Sequence, residues 1–315
     1  MLDSFGREIR YLRLSITDRC NLRCRYCMPD EGVPPTVHDE LLRYEELLRV
    51  AETAVSLGIN RFKVTGGEPL VRRGCADFIR HLKALSGVRQ VTLTTNGLLL
   101  PPLLDELCTA GLDGVNISLD TLDNAQYQRL TRRTHTADEV LRAVRLCAAR
   151  LPTKINAVLL PETADQLIPL AELTQTLPVD VLGTTQTGQT TSADIALNRL
   201  RARWPQLKPI SEPRGNGPAR YFRAPGMQSC LGLIDAVSHG FCDRCNRLRL
   251  TSTGLLKPCL CYEQGVELRS LLRGGADDDA LRNAMREAIL QKPAAHCFQQ
   301  RENITEHKSM NQIGG

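Results

Sequence analysis

Six short β-branched runs, with amphipathic stretches between them, constrain this chain more than anything else in it. They are Leu12 to Thr17, Arg61 to Thr65, Val91 to Thr95, Val115 to Ser118, Ile155 to Leu160 and Val179 to Leu182. Strand followed by helix, repeated six times, predicts α/β architecture with a parallel sheet. The stretches Tyr44 to Leu57 and Asp138 to Ala149 carry apolar residues three and four apart with charges opposite, and Gly58 and Gly111 sit where helices should stop. Right-handed crossovers would curl such a sheet into a closed or partial barrel.

In barrels of this kind functional groups gather at the carboxyl ends of the strands. Cys20 follows the first strand, and Gly66-Gly67-Glu68-Pro69 follows the second. Thr94-Thr95-Asn96-Gly97 ends the third, and Asn116-Ile117-Ser118-Leu119-Asp120 ends the fourth. Four successive strand ends thus carry polar or glycine-rich signals. After the sixth strand come a Thr/Gln-rich loop, Thr184 to Ser192, and a Pro/Gly stretch, Pro209 to Pro218, both read as surface loops or a linker. The domain boundary falls near residue 220, giving a core over 1–220 and a C-terminal region over 221–315. By composition the polar tail from Pro293 should be frayed.

The 315 residues, 42% of them hydrophobic, can bury one large core and an appended region. Charges at Asp3, Arg7, Glu8, Arg10 and Arg13 interrupt any signal peptide, and no run is apolar enough to span a membrane, so a cytoplasmic protein is expected. A net charge of +5 of mixed sign, without a long basic block, excludes a nucleic-acid tail. Twelve cysteines without an export signal are not expected to pair as structural disulfides in a reducing compartment. Cys75, Cys108, Cys147, Cys230, Cys261 and Cys297 are scattered and read as small hydrophobes, whereas the other six fall in two tight groups.

Cys20, Cys24 and Cys27 form a C-x3-C-x2-C array in one loop, interleaved with Arg19, Arg23 and Arg25. Three thiolates suit a 4Fe-4S cluster with one iron left open, whereas structural zinc normally takes a fourth protein ligand, for which His38 is the next histidine. Cys242, Cys245 and Cys259 form the second group, and there Cys261 could complete a four-cysteine zinc site. Arg247 and Arg249 alternate with Leu248 and Leu250, so on a strand both guanidiniums share one face, suited to a triphosphate or merely solvated. No G-x4-G-K-[ST] loop exists to hold a nucleotide, so scattered cations would have to do so.

The first cysteine array, with Tyr26 before its third cysteine and the Gly66 to Pro69 loop, resembles the signature of the radical S-adenosylmethionine superfamily. The resemblance implies a partial (β/α)6 TIM-like barrel, and an open iron that chelates the methionine end of S-adenosyl-L-methionine and yields a 5′-deoxyadenosyl radical. Tyr26, Gly67 and Ser118 match that family's cofactor positions. Across nearly the whole chain the sequence is also similar to the GTP 3′,8-cyclase family of molybdenum cofactor biosynthesis. Its markers here are Arg13, Thr17-Asp18-Arg19-Cys20, Thr65 to Pro69, Thr94 to Gly97, Lys154 before Asn156, the Cys242-x2-Cys245-Asn246-Arg247-Leu248-Arg249 stretch, and the terminal Gly-Gly.

That likeness implies a C-terminal extension carrying a second Fe-S cluster on Cys242, Cys245 and Cys259, and a GTP site lined by Arg13, Lys63, Thr94, Lys154, Arg247 and Arg249. It further implies that Gly314 and Gly315 reach into the cavity, and that the radical takes hydrogen from C3′ of the ribose before that carbon attacks C8 of guanine. The expected partners are GTP, an electron donor, cyclic pyranopterin monophosphate synthase as the next enzyme, and a second copy in a homodimer, with no nucleic acid and no membrane. Two departures stand out. Lys63 replaces the family's more frequent arginine, and Asp180-Val181-Leu182-Gly183-Thr184-Thr185 replaces its sixth strand, with Thr185 in place of a methionine. These leave open a divergent paralogue, either a radical enzyme on another substrate or a non-catalytic cluster- or nucleotide-binding homologue.

Overall fold

A computed structural model describes the chain except for residues 35, 186–191, 213, 236–240, 299 and 315 and the side chain of Arg301. The strands among the described residues are β1 (Tyr11–Ser15), β2 (Arg61–Thr65), β3 (Gln90–Thr95), β4 (Gly114–Ser118), β5 (Thr153–Leu159), β6 (Val179–Thr185), β7 (Lys208–Ile210), β8 (Arg220–Arg223), β9 (Leu231–Asp235), β10 (Arg247–Leu250), β11 (Leu255–Lys257) and β12 (Val266–Glu267). The helices are α1 (Tyr44–Ser56), α2 (Cys75–Ala84), α3 (Leu100–Thr109), α4 (Asn124–Thr131), α5 (Ala137–Ala148), α6 (Leu167–Thr176), α7 (Ala193–Arg203), α8 (Leu268–Arg273) and α9 (Asp278–Leu290). No described helix is long and apolar enough to cross a membrane. All six expected strands form, with ends shifted by at most three residues; β6 runs on through Thr185, into the stretch expected to be a loop.

Two compact units result. The first comprises residues 1–94, 102–113 and 242–315, and the second residues 95–101 and 114–241. In the first, the strand order is β12-β11-β10-β1-β2-β3. Strands β10, β1, β2 and β3 run parallel, while β11 and β12 add antiparallel. Leu12 and Leu14 of β1, with Phe62 and Val64 of β2, are buried, and the residues between them point to the opposite face. Helix α1 starts with a capping box in which Glu46 accepts from the Arg43 N–H at 2.6 Å, and it buries Leu47, Val50, Ala51 and Ala54. Gly58, at φ +90°, supplies the left-handed residue that ends it. Helix α9, capped by Asp277 on the Ala280 N–H at 2.8 Å, packs against α1 through Leu281, Met285, Ala288 and Ile289.

The second unit has the order β4-β5-β6-β9-β8-β7, parallel from β4 to β9 and antiparallel beyond. Helix α5 opens on the Thr136–Glu139 capping box and buries Val140, Ala143, Val144 and Cys147. The stretch from Pro209 to Pro218, expected as a surface loop or linker, instead begins in β7, which pairs with β8.

Candidate active site

The first cysteine array occupies the loop after β1. A tight turn brings the Cys27 and Met28 N–H groups to the Cys24 carbonyl at 2.9 and 3.1 Å, and the Leu22 N–H reaches Cys20 Sγ at 3.4 Å. Arg23 donates to the carbonyls of Cys20 and Leu22 at 2.7 and 2.8 Å, fixing the loop from within. Tyr26 is half-buried in the same turn. The glycine-rich loop after β2 is zipped onto this segment, the Gly67 N–H to Thr17 O and the Glu68 N–H to Arg19 O, both at 2.8 Å. A Cβ on Gly67 would lie 2.4 Å from Arg19 O and 2.6 Å from Asp18 O, so the chain's own backbone already requires glycine there. Burial pushes the Cys20 thiol up to about 11 and raises Cys27 as well, so these thiols need an electrophilic partner to ionise.

Across the sheet of the first unit the register lines up cations. Arg249 on β10 pairs with Arg13 on β1, Arg13 with Lys63 on β2, and Lys63 with Thr92 on β3. Adjacent strands are about 4.8 Å apart, so these side chains form one continuous row. Arg247 stands beside Tyr11 in the row before, and Thr94 follows Thr92 on the same face. Arg13 Nε and Thr94 Oγ1 are buried with no hydrogen-bond partner among the described residues. Burial first, then Arg13 and Arg247, pull Arg249 well below the usual guanidinium range, and burial lowers Arg13 too. Donors that repel one another, half-buried at Arg13 and Lys63 and buried at Arg249, are suited to hold an anion.

The C-terminal segment docks against this row. Gly314 O accepts from Arg249 Nη1 at 3.3 Å and from Thr65 Oγ1 at 3.4 Å, and Ile313 and Asn311 are buried. Gly314 has φ +83° and a Cβ there would meet the Ser15 Cβ at 3.0 Å, so a residue without a side chain fits where others are strained. Residues 311–314 are therefore docked rather than frayed; Gly315 lies outside the described residues.

In the second array, Cys242 and Cys245 lie on one turn, the Cys245 N–H reaching Cys242 O at 3.2 Å. Residues that sequence reasoning missed hold it in place. Arg7, locked to Asp3 at 2.6 Å, donates to the carbonyls of Cys242, Pro293 and Ala294 at 2.7, 2.7 and 3.0 Å. Lys292 Nζ donates to Arg247 O and Pro258 O at 2.9 and 2.6 Å, and the His296 N–H donates to Cys242 Sγ at 3.2 Å. Burial acts to raise Cys245, but Lys292 and Arg247 outweigh it and hold the thiol low. The Cys261 thiol hydrogen-bonds to Cys259, lowering Cys259 and raising Cys261, while the Cys297 N–H reaches Cys261 Sγ at 3.3 Å. Cys261 and Cys297 are thus neighbours of the array rather than scattered core thiols. Of these only Cys261 was marked in the sequence, as a possible fourth thiol of the array; Arg7 and Lys292 gave no motif.

Among the described residues no group of three or more His, Cys, Asp or Glu is gathered to hold a metal ion. The fit to an iron–sulfur cluster rests on the donor sets: three thiols on the loop after β1, and three more divided between the Cys242–Cys245 turn and Cys259 beyond β11, with main-chain N–H donors at Cys20 and Cys242 and cations beside Cys245.

The second unit carries Ser118 at the end of β4, half-buried and paired with Asn156, whose Oδ1 accepts from Asn116 at 3.1 Å. One row over, Asn116, Lys154 and Asp180 align on β4, β5 and β6. Lys154 Nζ lies 3.2 Å from Asp180 and donates to Tyr221 OH at 2.8 Å and to the Arg214 carbonyl. Asp180 also accepts from Arg214 Nε at 3.0 Å, Ser229 Oγ at 2.6 Å and the Cys230 N–H at 3.2 Å. Thr185 is buried and donates to Ile234 O at 3.3 Å.

Residues 14–174 match the Radical SAM superfamily, and residues 172–298 match Molybdenum Cofactor Synthesis C. In fold the chain is similar to Streptococcus suis SuiB bound to S-adenosylmethionine, with a TM-score of 0.65 over 98% of this chain and 76% of that one at 15% identity. The chain is a radical S-adenosylmethionine protein of mixed α/β fold with a largely parallel sheet. It is 42% identical to the GTP 3′,8-cyclase of Heliobacterium modesticaldum and 40% identical to that of Moorella thermoacetica, over 100% of both chains in each case. Within the superfamily, it belongs to the GTP 3′,8-cyclase family.

Proposed function

We propose that this protein converts GTP to 3′,8-cyclo-7,8-dihydro-GTP, the first step of molybdenum cofactor biosynthesis, using S-adenosyl-L-methionine and two 4Fe-4S clusters. The observation that carries the reading is the row Arg249, Arg13 and Lys63, whose buried Arg13 Nε has no hydrogen-bond partner among the described residues. A triphosphate brings the charge and acceptors that such a row needs.

In this reading Cys20, Cys24 and Cys27 hold the first cluster, with Tyr26, Gly67 and Ser118 at the cofactor. Held there, the cluster would supply one electron to the sulfonium of S-adenosyl-L-methionine, breaking its S–C5′ bond to give methionine and a 5′-deoxyadenosyl radical. Cys242, Cys245 and Cys259 hold the second cluster. Arg13, Lys63, Arg247 and Arg249 grip the phosphates, with Thr94 and Lys154 completing the substrate contacts. Held at both ends, the nucleotide has C3′ fixed near C8, which lowers the entropic part of the barrier to ring closure. Gly314 fills space beside the row and keeps water from it, and Gly315 belongs to the same catalytic tail in this reading.

An electron donor, cyclic pyranopterin monophosphate synthase as consumer of the product, a homodimer and a cytoplasmic location belong to the same proposal. The test is an anaerobic reaction of reconstituted protein with GTP, S-adenosyl-L-methionine and dithionite, following 5′-deoxyadenosine and the cyclised nucleotide by mass spectrometry. Both products together are expected. Deoxyadenosine alone would mean a radical enzyme on another substrate, and neither product, with the clusters loaded, a non-catalytic homologue.

A further inference from the structure

The second cysteine array is divided between the two arms of a hairpin. Strands β10 and β11 pair antiparallel, Leu250 with Leu256 and Arg249 with Lys257, and β11 ends at Lys257. Carried on in that register, Arg247 would face Cys259, with Cys245 just beyond. The open end of the hairpin is therefore where cysteines of the two arms have to meet. Lys292 reaches across it. Its Nζ donates to Arg247 O at 2.9 Å and to Pro258 O at 2.6 Å, one acceptor on each arm and the second immediately before Cys259. The segment that carries Lys292 is itself fixed. The Lys292 N–H donates to Ile289 O at 3.2 Å, in the last turn of α9, and the next two carbonyls, of Pro293 and Ala294, accept from the Arg7 that also holds Cys242 O. Lys292 is 3% exposed. Lys257, also buried, is paired with the Glu306 carboxylate, whereas the two carbonyls on Lys292 carry no charge to balance its own.

We propose that Lys292 is a positioning residue for the second cysteine array: its ammonium ties the two arms of the hairpin together, so that Cys245 and Cys259 face one centre, and supplies the positive charge against which that centre holds its negative charge. The inference rests on the assignment of Cys242, Cys245 and Cys259 to a cluster. A buried ammonium between neutral carbonyls is costly, and so are thiolates gathered without a cation; side by side, each offsets the other. Adding an electron makes a cluster more negative, so a fixed cation beside it stabilises the reduced form more than the oxidised form. Tying the carbonyls together does not by itself require a lysine, because a neutral amide also donates to carbonyls. The charge therefore separates a role toward the cluster from a role in the hairpin alone.

The experiment uses full-length protein reconstituted anaerobically. Lys292→Met removes both hydrogen bonds and the charge, and is expected to lower iron and sulfide to about half of wild type, the share of one of two clusters. Binding of S-adenosyl-L-methionine, which belongs to the first array, should stay at the wild-type value. Lys292→Gln keeps a donor and loses the charge. It is combined with Cys20→Ser, Cys24→Ser and Cys27→Ser, so that the second cluster alone reports, and followed by electron paramagnetic resonance during titration with dithionite. This chain is expected to keep its iron and to be clearly less than half reduced at the midpoint of the same chain with Lys292 intact. Full iron in Lys292→Met, or equal midpoints with and without the charge, would overturn the proposal while leaving the cluster assignment intact. No iron at all in the chain with the three serines and Lys292 would instead overturn the assignment, and the proposal with it. Should Lys292→Gln also lose its iron, Lys292→Arg decides the matter: iron regained with the charge supports the proposal, and iron still missing overturns it.

Discussion

Arg249 stands directly opposite Arg13 on the neighbouring parallel strand, and the buried Arg13 Nε has no hydrogen-bond partner among the described residues. Residues 236 positions apart meet because β10 returns to pair with β1. The repulsion is carried by the free protein and relieved by an anion. Arg249→Met should therefore weaken GTP binding by roughly 10- to 100-fold, the loss of a charge-assisted contact of about 1.5–3 kcal/mol. The same change should not lower the melting temperature of the nucleotide-free protein, because a desolvated cation leaves with it. Calorimetric titration with GTP and a thermal melt check both. Wild-type affinity, or a large drop in melting temperature, would contradict the reading of the row as an anion site.

Gly67→Ala tests whether the glycine-rich loop serves the fold of the cysteine loop as well as the cofactor. The added Cβ would sit 2.4 Å from Arg19 O and 2.6 Å from Asp18 O, against backbone that the Gly67 and Glu68 N–H groups already bind. Overpacking of this kind costs about 1–3 kcal/mol, taken up by the loop that bears Cys20. Iron bound per chain should fall while the far-ultraviolet circular dichroism stays as in wild type. Full iron with only weakened S-adenosyl-L-methionine binding would place the role of Gly67 at the cofactor alone.

Much of this was legible in the sequence because it is local. Strand β2 has the expected bounds, Arg61–Thr65, and α1 begins at Tyr44 as its apolar spacing predicts. The polar strand ends marked the site face, since β-strand alternation puts Arg13, Lys63 and Thr94 on one side once their strands are parallel. What escaped depends on partners distant in sequence. Arg7 reads as a surface charge until its contacts to Cys242 and Pro293 are known, and Asn311 reads as tail until it meets Asp18. Composition forecast a frayed end because it cannot see a cavity that accepts glycine. The Pro209 to Pro218 stretch looked like a linker, although its Arg214 is held by Asp180.

Cys261 touches Cys259 yet is not among the six proposed ligands, and substitutions separate the two thiols. Cys261→Ala should keep wild-type iron and sulfide, because Cys242, Cys245 and Cys259 remain and Lys292 and Arg247 still favour the Cys245 thiolate. Cys259→Ser should lower iron and sulfide by about half, the share of one of two clusters. Iron and sulfide assays on anaerobically reconstituted protein read this directly. Loss of iron from Cys261→Ala would make Cys261 a ligand and revive a four-cysteine site.

Asp180 is the hub on which the second unit's buried cations depend. Its carboxylate, 5% exposed, accepts from Arg214, Ser229 and the Cys230 N–H and lies 3.2 Å from Lys154. Asp180→Asn leaves Lys154 and Arg214 facing each other without a counter-charge. Breaking a fully buried pair costs about 3–5 kcal/mol, and because both cations are partly exposed a loss of about 2–3 kcal/mol is expected. Burial acts to raise the Asp180 pKa, but the bonds from Arg214 and Ser229 and the charge of Lys154 outweigh it and hold it below the ordinary value of 3.8. A carboxyl lowered in the folded state contributes its full stability above the unfolded value and loses it as pH falls through the folded one. The gap between wild type and Asp180→Asn in urea unfolding should therefore be constant from neutral pH down to mildly acid pH, and close only below 3.8. Equal urea midpoints at neutral pH would remove Asp180 from its place at the centre of this network.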